Sequence, residues 1–277
     1  MSDVVVAHLS DLHFGGRADP PLLAVLARYL PTLAPGAIVV SGDISQRARH
    51  GEFQAARWYF ETLQALAPVY VIPGNHDVQW WRSPLSLLGA TPKYVKYRAY
   101  FGDDLSPVLE LDGLVIAGLL SSHGVTPGSM TWNPNDTAVK GHLPRAEVER
   151  VRARFAALPG GTVRLAVLHH NVLPGVLSHR WGLARPHAAQ RALLSLGADV
   201  VLCGHDHTEN AGQIEGQLAV STAGTLSLRS RGGRPSAFNL VRATAREISI
   251  QHFIYDRAGA TFRPGDITIY ARTRRAD

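Results

Sequence analysis

Five short strand-like runs in this chain each stop abruptly at a cluster of Gly, Asp, Asn and His. The runs are Val4 to Leu9, Ala37 to Val40, Val69 to Ile72, Val163 to Leu168 and Asp199 to Cys203. Short apolar runs rich in β-branched residues and closed by Gly or Pro read as strands buried on both faces, the kind found in parallel sheets under helices. Between them lie helical spacings. Leu22, Leu23, Leu26, Tyr29, Leu30 and Leu33 follow Pro20-Pro21, and Phe53, Ala56, Tyr59, Phe60, Leu63 and Leu66 run from Gly51. Further helices are expected over Leu143 to Leu158 and Pro186 to Leu196. Strand, helix and strand in alternation define an α/β protein, and such sheets carry their chemistry at the C-terminal ends of the strands.

The clusters at those ends are Ser10-Asp11-Leu12-His13, Ser41-Gly42-Asp43, Gly74-Asn75-His76-Asp77, His169-His170-Asn171 and Gly204-His205-Asp206-His207. Asp11 and His13, two apart in an extended segment, project to one side and can grip one cation. The full set of candidate donors is Asp11, His13, Asp43, Asn75, His169, His205 and His207. So many oxygen and nitrogen donors exceed one cation's needs and suit two, with one carboxylate bridging. Cys203 is the single cysteine, which rules out an internal disulfide and a thiolate-rich zinc site. It sits in an apolar run, as a buried space-filler does.

The order and spacing of the five blocks, over about residues 4 to 210, resemble the calcineurin-like metallophosphoesterase superfamily. That resemblance implies a four-layer α/β/β/α sandwich: two mixed sheets face to face, flanked by helices, with two metal ions at the strand ends. It implies that Asp11, His13, Asp43 and His207 hold one metal and that Asp43, Asn75, His169 and His205 hold the other. His76 would face the substrate phosphate, with Asp77 orienting or charging it. The ions would be divalent or trivalent Mn, Fe or Zn, a choice that affinity order alone does not make. Asp after Gly-Asn-His, the His169-His170 pair and the compact length resemble the bacterial class III 3′,5′-cyclic nucleotide phosphodiesterases. The expected activity is therefore hydrolysis of a phosphodiester, with cyclic nucleotides as the leading substrate class, by attack of a metal-bridging hydroxide.

Arg47, His123 and His170 are the candidate substrate contacts. Gly42-Asp43-Ile44-Ser45-Gln46-Arg47 resembles the Gly-Asp-x-x-Asp-Arg of the protein phosphatase branch, with Gln46 in place of the acid, so a phosphomonoesterase is one rival. A DNA-processing nuclease of the same superfamily is a second, raised by the net charge of +6. That charge is Arg-rich, with runs at Arg229 to Arg234 and Arg272 to Arg275, and we expect solvated surface rather than a nucleic-acid partner. A non-enzymatic scaffold is a third rival; in this superfamily scaffolds have typically lost metal ligands, and this sequence has lost none.

Hydrophobic residues make up 45% of the chain, enough for a substantial core. With no convincing linker, residues 1–277 are expected to form one domain. Its motif-bearing part covers about 4–210; the strand-rich 211–277 is expected to complete the second sheet and end in a basic tail. Leu109 to Leu119 reads as a hairpin turning at Asp112-Gly113. Ser121 to Gly141 reads as a long binding loop. The start of the sequence lacks the marks of a secretory leader and no apolar run approaches a membrane span, so a cytoplasmic protein without a membrane partner is expected. Its substrate should be a phosphorylated small molecule, a nucleotide by the resemblance. Trp80, Trp81 and Trp132 could build either a base-stacking pocket or a subunit contact in a homo-oligomer.

Overall fold

A computed structural model describes residues 3–79, 93–124, 126, 128–133, 136 and 139–272. Two six-stranded mixed sheets lie face to face. The first is built on β1 (Val4–Leu9), β2 (Ala37–Val40) and β3 (Val69–Val71), mutually parallel, and is extended by β10 (Ala237–Ala243), β11 (Glu247–Asp256) and β12 (Thr261–Ala271) in antiparallel order. The second runs β4 (Val108–Leu111), β5 (Leu114–Gly118), β6 (Val163–Val167), β7 (Val200–Cys203), β9 (Leu218–Thr222) and β8 (Asn210–Ile214). In it β5, β6, β7 and β9 are parallel, with antiparallel β4 and β8 at the edges.

The layers follow from the two-residue side-chain period of a strand. Val6, Val39, Tyr70 and Ile72 face inward, against Ile116, Leu165, Val167, Val200 and Leu202 of the second sheet. Ala7, Leu9, Ile38 and Val40 face outward, against Leu22 and Leu26 of α1 (Pro20–Tyr29) and Phe53, Ala56 and Phe60 of α2 (His50–Gln64). Tyr97 of α3 (Val95–Phe101) joins that layer. Ala166, Leu168, Val201 and Cys203 face Val151 and Phe155 of α4 (Arg145–Ala156) and Leu193 of α5 (Pro186–Leu194). Burial of apolar side chains contributes roughly 25 cal/mol per Å², and three such clusters stacked helix, sheet, sheet, helix are what make four layers stable.

The C-terminal region departs from expectation. Only β8 and β9 join the second sheet; β10 to β12 complete the first, because β1 has an open edge that β10 pairs through Val4 to His8. The helix expected over Pro21 to Leu33 tightens into a 3₁₀ turn at Leu30–Leu33, where Pro31 interrupts it. Arg272, after β12, ties the two sheets together. Its guanidinium donates to both Asp199 oxygens at 2.9 and 3.1 Å and to the carbonyls of Thr244, Gly161 and Thr162. Both side chains are buried. Removing one partner from such a pair costs about 3–5 kcal/mol. Arg272→Met should lower the unfolding free energy by about that much in urea titration; a loss below about 1 kcal/mol would show that the clip is dispensable.

Candidate active site

The parallel strands β1, β2, β3, β6 and β7 all end at one rim, and the polar clusters gather there. Backbone hydrogen bonds join the loops before any ligand is involved: Asp11 N to Gly42 O at 3.1 Å, His13 N to Asp43 O at 3.0 Å, and Gly204 N to His169 O at 2.8 Å. Glycine is required where the loops touch. A Cβ on Gly74 would lie 2.2 Å from Asp43 Oδ1, and one on Gly204 would lie 1.9 Å from Ser10 Oγ.

Two donor groups result. Asp11 Oδ1 is 3.1 Å from His207 Nε2 and 3.7 Å from His13 Nε2, and His13 Nε2 is 3.8 Å from Asp43 Oδ2. These four side chains can present donor atoms all within 4.8 Å of one another. On the other side, Asp43 Oδ1 is 3.4 Å from His169 Nε2, Asn75 Oδ1 is 3.0 Å from both His169 Nε2 and His205 Nδ1, and those two nitrogens are 3.3 Å apart. Asp43 thus turns one oxygen to each group.

Five of these residues hold left-handed backbone: Asp11 at φ 55°, His13 at 47°, Asp43 at 50°, His205 at 72° and His207 at 61°. That conformation costs roughly 1–2 kcal/mol for a residue with a Cβ and persists only where the surroundings over-determine it. Here it turns side chains that would otherwise splay away from the rim back over it.

The residues present fit two metal ions. The His169 Nδ1–H donates to Ser41 O at 2.9 Å and the His207 Nδ1–H to Arg229 O at 2.8 Å, which leaves Nε2 of each ring as the donor atom. Asp11 Oδ2 accepts from His205 N at 3.0 Å, whereas its buried Oδ1 accepts no hydrogen bond. Protonation states agree. Burial raises the Asp11 and Asp43 carboxyls, but the facing imidazoles, His207 and His169 respectively, outweigh it and hold both below the usual carboxylate range. Burial holds His13 and His205 down to about 3, in the neutral form that binds metal; neighbouring imidazoles add to it, and the opposing charges of Asp43 and Asp11 do not overcome it. His169 is opposed by burial yet raised to about 9 by Asp43, so the chain alone neutralises its buried carboxylate with an imidazolium.

His76 lies at the mouth of this group. Its Nδ1–H donates to Gln46 O at 2.9 Å, so Nε2 is the acceptor, and Arg229 Nη1 reaches it at 2.7 Å. Asp77 does not orient His76, contrary to expectation. Its Oδ1 accepts from Ser45 N and Ser45 Oγ, both at 2.7 Å, and its Oδ2 from Ile44 N at 3.1 Å and Gly74 N at 2.8 Å. It is a buried clasp between the Asp43 and Asn75 loops; the 3₁₀ turn at Asn75–Asp77 points it away from the cleft. Burial and the charge of Asp43 push its carboxyl up to about 6 against those hydrogen bonds.

The expected substrate contacts also fall elsewhere. His170 is buried, with Nδ1 2.9 Å from Ser121 Oγ and Nε2 3.1 Å from Val139 O, so both nitrogens hold the overhanging loop. His123 is fastened through Nε2 to Leu120 O at 2.9 Å. Arg47 is exposed, its amide donating to the Glu52 carboxylate at the start of α2, and it does not line the cleft. Trp80 and Trp81 lie outside the described residues, and Trp132 is fully exposed. The cleft itself, of about 210 Å³, is lined by Asp43, Asn75, His76, Val139, His205, His207 and the stretch Arg229 to Arg231. The last stretch was visible in the sequence only as surface charge; its place beside the clusters comes from the turn that joins β9 to β10.

The fold and this site define an α/β/β/α sandwich carrying an Asp/His cluster suited to a dinuclear metal site. The chain belongs to the calcineurin-like phosphoesterase (Metallophos) family, whose model matches residues 4–209. It is 29% identical over 167 residues to the glycerophosphodiester phosphodiesterase GpdQ of Enterobacter lignolyticus, covering 52% of this chain and 55% of that one. It thus spans about half the length of that relative. In structure it resembles the purple acid phosphatase PPD1 of yellow lupin, with TM-score 0.71, 10% identity, 98% of this chain and 54% of that one. It also resembles a dimetal phosphatase of Danio rerio, with TM-score 0.66, 14% identity, 98% of this chain and 99% of that one. Among the described residues no helix is long and apolar enough to cross a membrane.

The donor geometry sets an expected metal content. Mass spectrometry of purified, metal-replete protein should find about two ions per chain, about one in His207→Ala and below one in Asp43→Ala. Asp43→Ala retaining two would contradict a shared carboxylate.

Proposed function

We propose that this chain is a dinuclear-metal phosphodiesterase acting on a small phosphodiester, with Asp11, His13, Asp43 and His207 holding one ion and Asp43, Asn75, His169 and His205 the other. The observation that carries this reading is Asp43, whose two oxygens face two separate donor groups. Two cations held there supply charge for the phosphoryl oxygens and lower the pKa of a water toward neutrality. The chain's own part is to orient. His76, fixed through Nδ1 on the Gln46 carbonyl, presents Nε2 to the cleft; on taking a proton from solvent, Nε2 would hand that proton to the leaving oxygen. The occluding loops, held by His170 and Asp77, keep the ligand shell from relaxing.

A diester is favoured over a monoester because the phosphatase-like residue, Arg47, is turned out to solvent, and because the relative found by sequence is named a phosphodiesterase. The leading substrate class is the 3′,5′-cyclic nucleotides, from the likeness of Gly74 to Asp77 and His169-His170 to the class III enzymes. A second reading, a glycerophosphodiester, is supported by that relative's name. A cleft of about 210 Å³ is of small-molecule size and argues against a nuclease. The complete donor set argues against a scaffold.

Turnover by Mn-loaded protein of bis(p-nitrophenyl) phosphate, p-nitrophenyl phosphate, cyclic AMP and a glycerophosphodiester tests the proposal. Diester turnover should exceed monoester turnover, and His76→Ala should lower it about 10²–10⁴-fold. Preferred monoester turnover would replace the reading with a phosphatase, and no turnover by metal-replete protein would sink it.

A further inference from the structure

We propose that Arg229 is the phosphate-binding residue of this cleft, parked on His76 in the resting chain and aimed at the non-bridging oxygens of an anionic phosphoester. The proposal borrows from the phosphodiesterase reading only the nature of the ester; anion binding by Arg229 does not require turnover.

Arg229 is fixed by its backbone to the metal site. Its carbonyl accepts from His207 Nδ1 at 2.8 Å and its amide donates to Ser227 Oγ at 3.2 Å. Its side chain lines the cleft with Asp43, Asn75, His76 and His205, and Nη1 lies 2.7 Å from His76 Nε2. A guanidinium carries five N–H donors, and one suffices for an imidazole nitrogen. The others can meet phosphate oxygens as a two-pronged fork.

Charge points the same way. Within the same basic run, Arg231 lies 3.6 Å from the Asp206 carboxylate and Arg234 pairs with Glu209. Among the described residues no carboxylate forms such a pair with Arg229. Two divalent ions would bring about four positive charges to a shell whose anionic members are Asp11 and Asp43. A further cation beside that shell is tolerated when an anion enters between them, and a phosphoester supplies it. Arg229 does not enter bond making or breaking; it binds the phosphoryl group and stabilises the charge that grows on it. Because Nη1 sits on His76 Nε2, a substrate that draws the guanidinium onto its phosphate also uncovers that nitrogen, which can then take up from solvent the proton the leaving oxygen needs.

The test uses Mn-loaded wild type, Arg229→Ala and Arg229→Lys, with inorganic phosphate as the probe in calorimetric titration and bis(p-nitrophenyl) phosphate for turnover. Arg229→Ala should weaken phosphate binding at least about tenfold and lower kcat/KM about 10²-fold, with metal content and Tm unchanged. Arg229→Lys should recover part of the affinity, since it restores the charge without the fork. Guanidinium ion added to Arg229→Ala should recover part as well, which a merely structural arginine would not permit. Phosphate affinity equal in wild type and Arg229→Ala, absence of phosphate binding in wild type, or loss of metal from Arg229→Ala would each overturn the proposal. Should wild type turn over no ester while phosphate binding still depends on Arg229, the phosphodiesterase reading fails and this one stands.

Discussion

The structure depends on keeping two carboxylates, Asp11 and Asp43, ionised where water does not reach them. Both are buried at the rim of the first sheet, a placement that is costly unless positive charge and hydrogen bonds surround them. In the chain alone the facing imidazoles of His207 and His169 do this. Metal ions serve the same need with more charge and less directional demand, so the polypeptide is organised to be completed by cations. Strained backbone at five donor residues follows from that requirement, since the carboxylates and imidazoles must converge from separate loops.

What holds that convergence is mostly out of reach of substrate. Asp77 gathers four donors from Ile44, Ser45 and Gly74 and so sets the spacing between the Asp43 and Asn75 loops. A buried polar seam does similar work from beneath. His252 bonds Asn239 at 2.7 Å, Asn239 bonds Ser221 at 2.8 Å, Ser221 bonds His8 at 2.9 Å and His8 bonds Ser41 at 3.0 Å. The Ser41 carbonyl then fixes the His169 ring. The seam crosses from the first sheet to the second within an otherwise apolar interface. A satisfied network of this kind specifies one register where apolar packing alone would tolerate several.

The site was legible in the sequence to the extent that its chemistry is local. Each donor follows its strand directly, so the strand pattern that announced α/β also located Asp11, Asp43, Asn75, His169, His205 and His207. Direction was not legible. Asp77 and His76 are adjacent, yet the 3₁₀ turn sends one into the protein and the other into the cleft, so neighbours in sequence are not partners here. Arg47 follows Asp43 closely but is carried outward by the start of α2, while Arg229 arrives from far along the chain. Long-range closure also explains the C-terminal strands. The composition of 211–277 announces strands, but only the open edge of β1 decides which sheet β10 and β11 join. Strand β12, at the sheet edge and mostly exposed, carries little apolar pattern of its own.

The central claim is that Asp43 is shared between two cations. Anomalous diffraction from crystals of the Mn-loaded protein tests it most directly. The account predicts two manganese peaks roughly 3.5–4 Å apart, one within bonding distance of Asp43 Oδ2, Asp11, His13 and His207, the other of Asp43 Oδ1, Asn75, His169 and His205. A single peak, or two peaks that do not both touch Asp43, would contradict it.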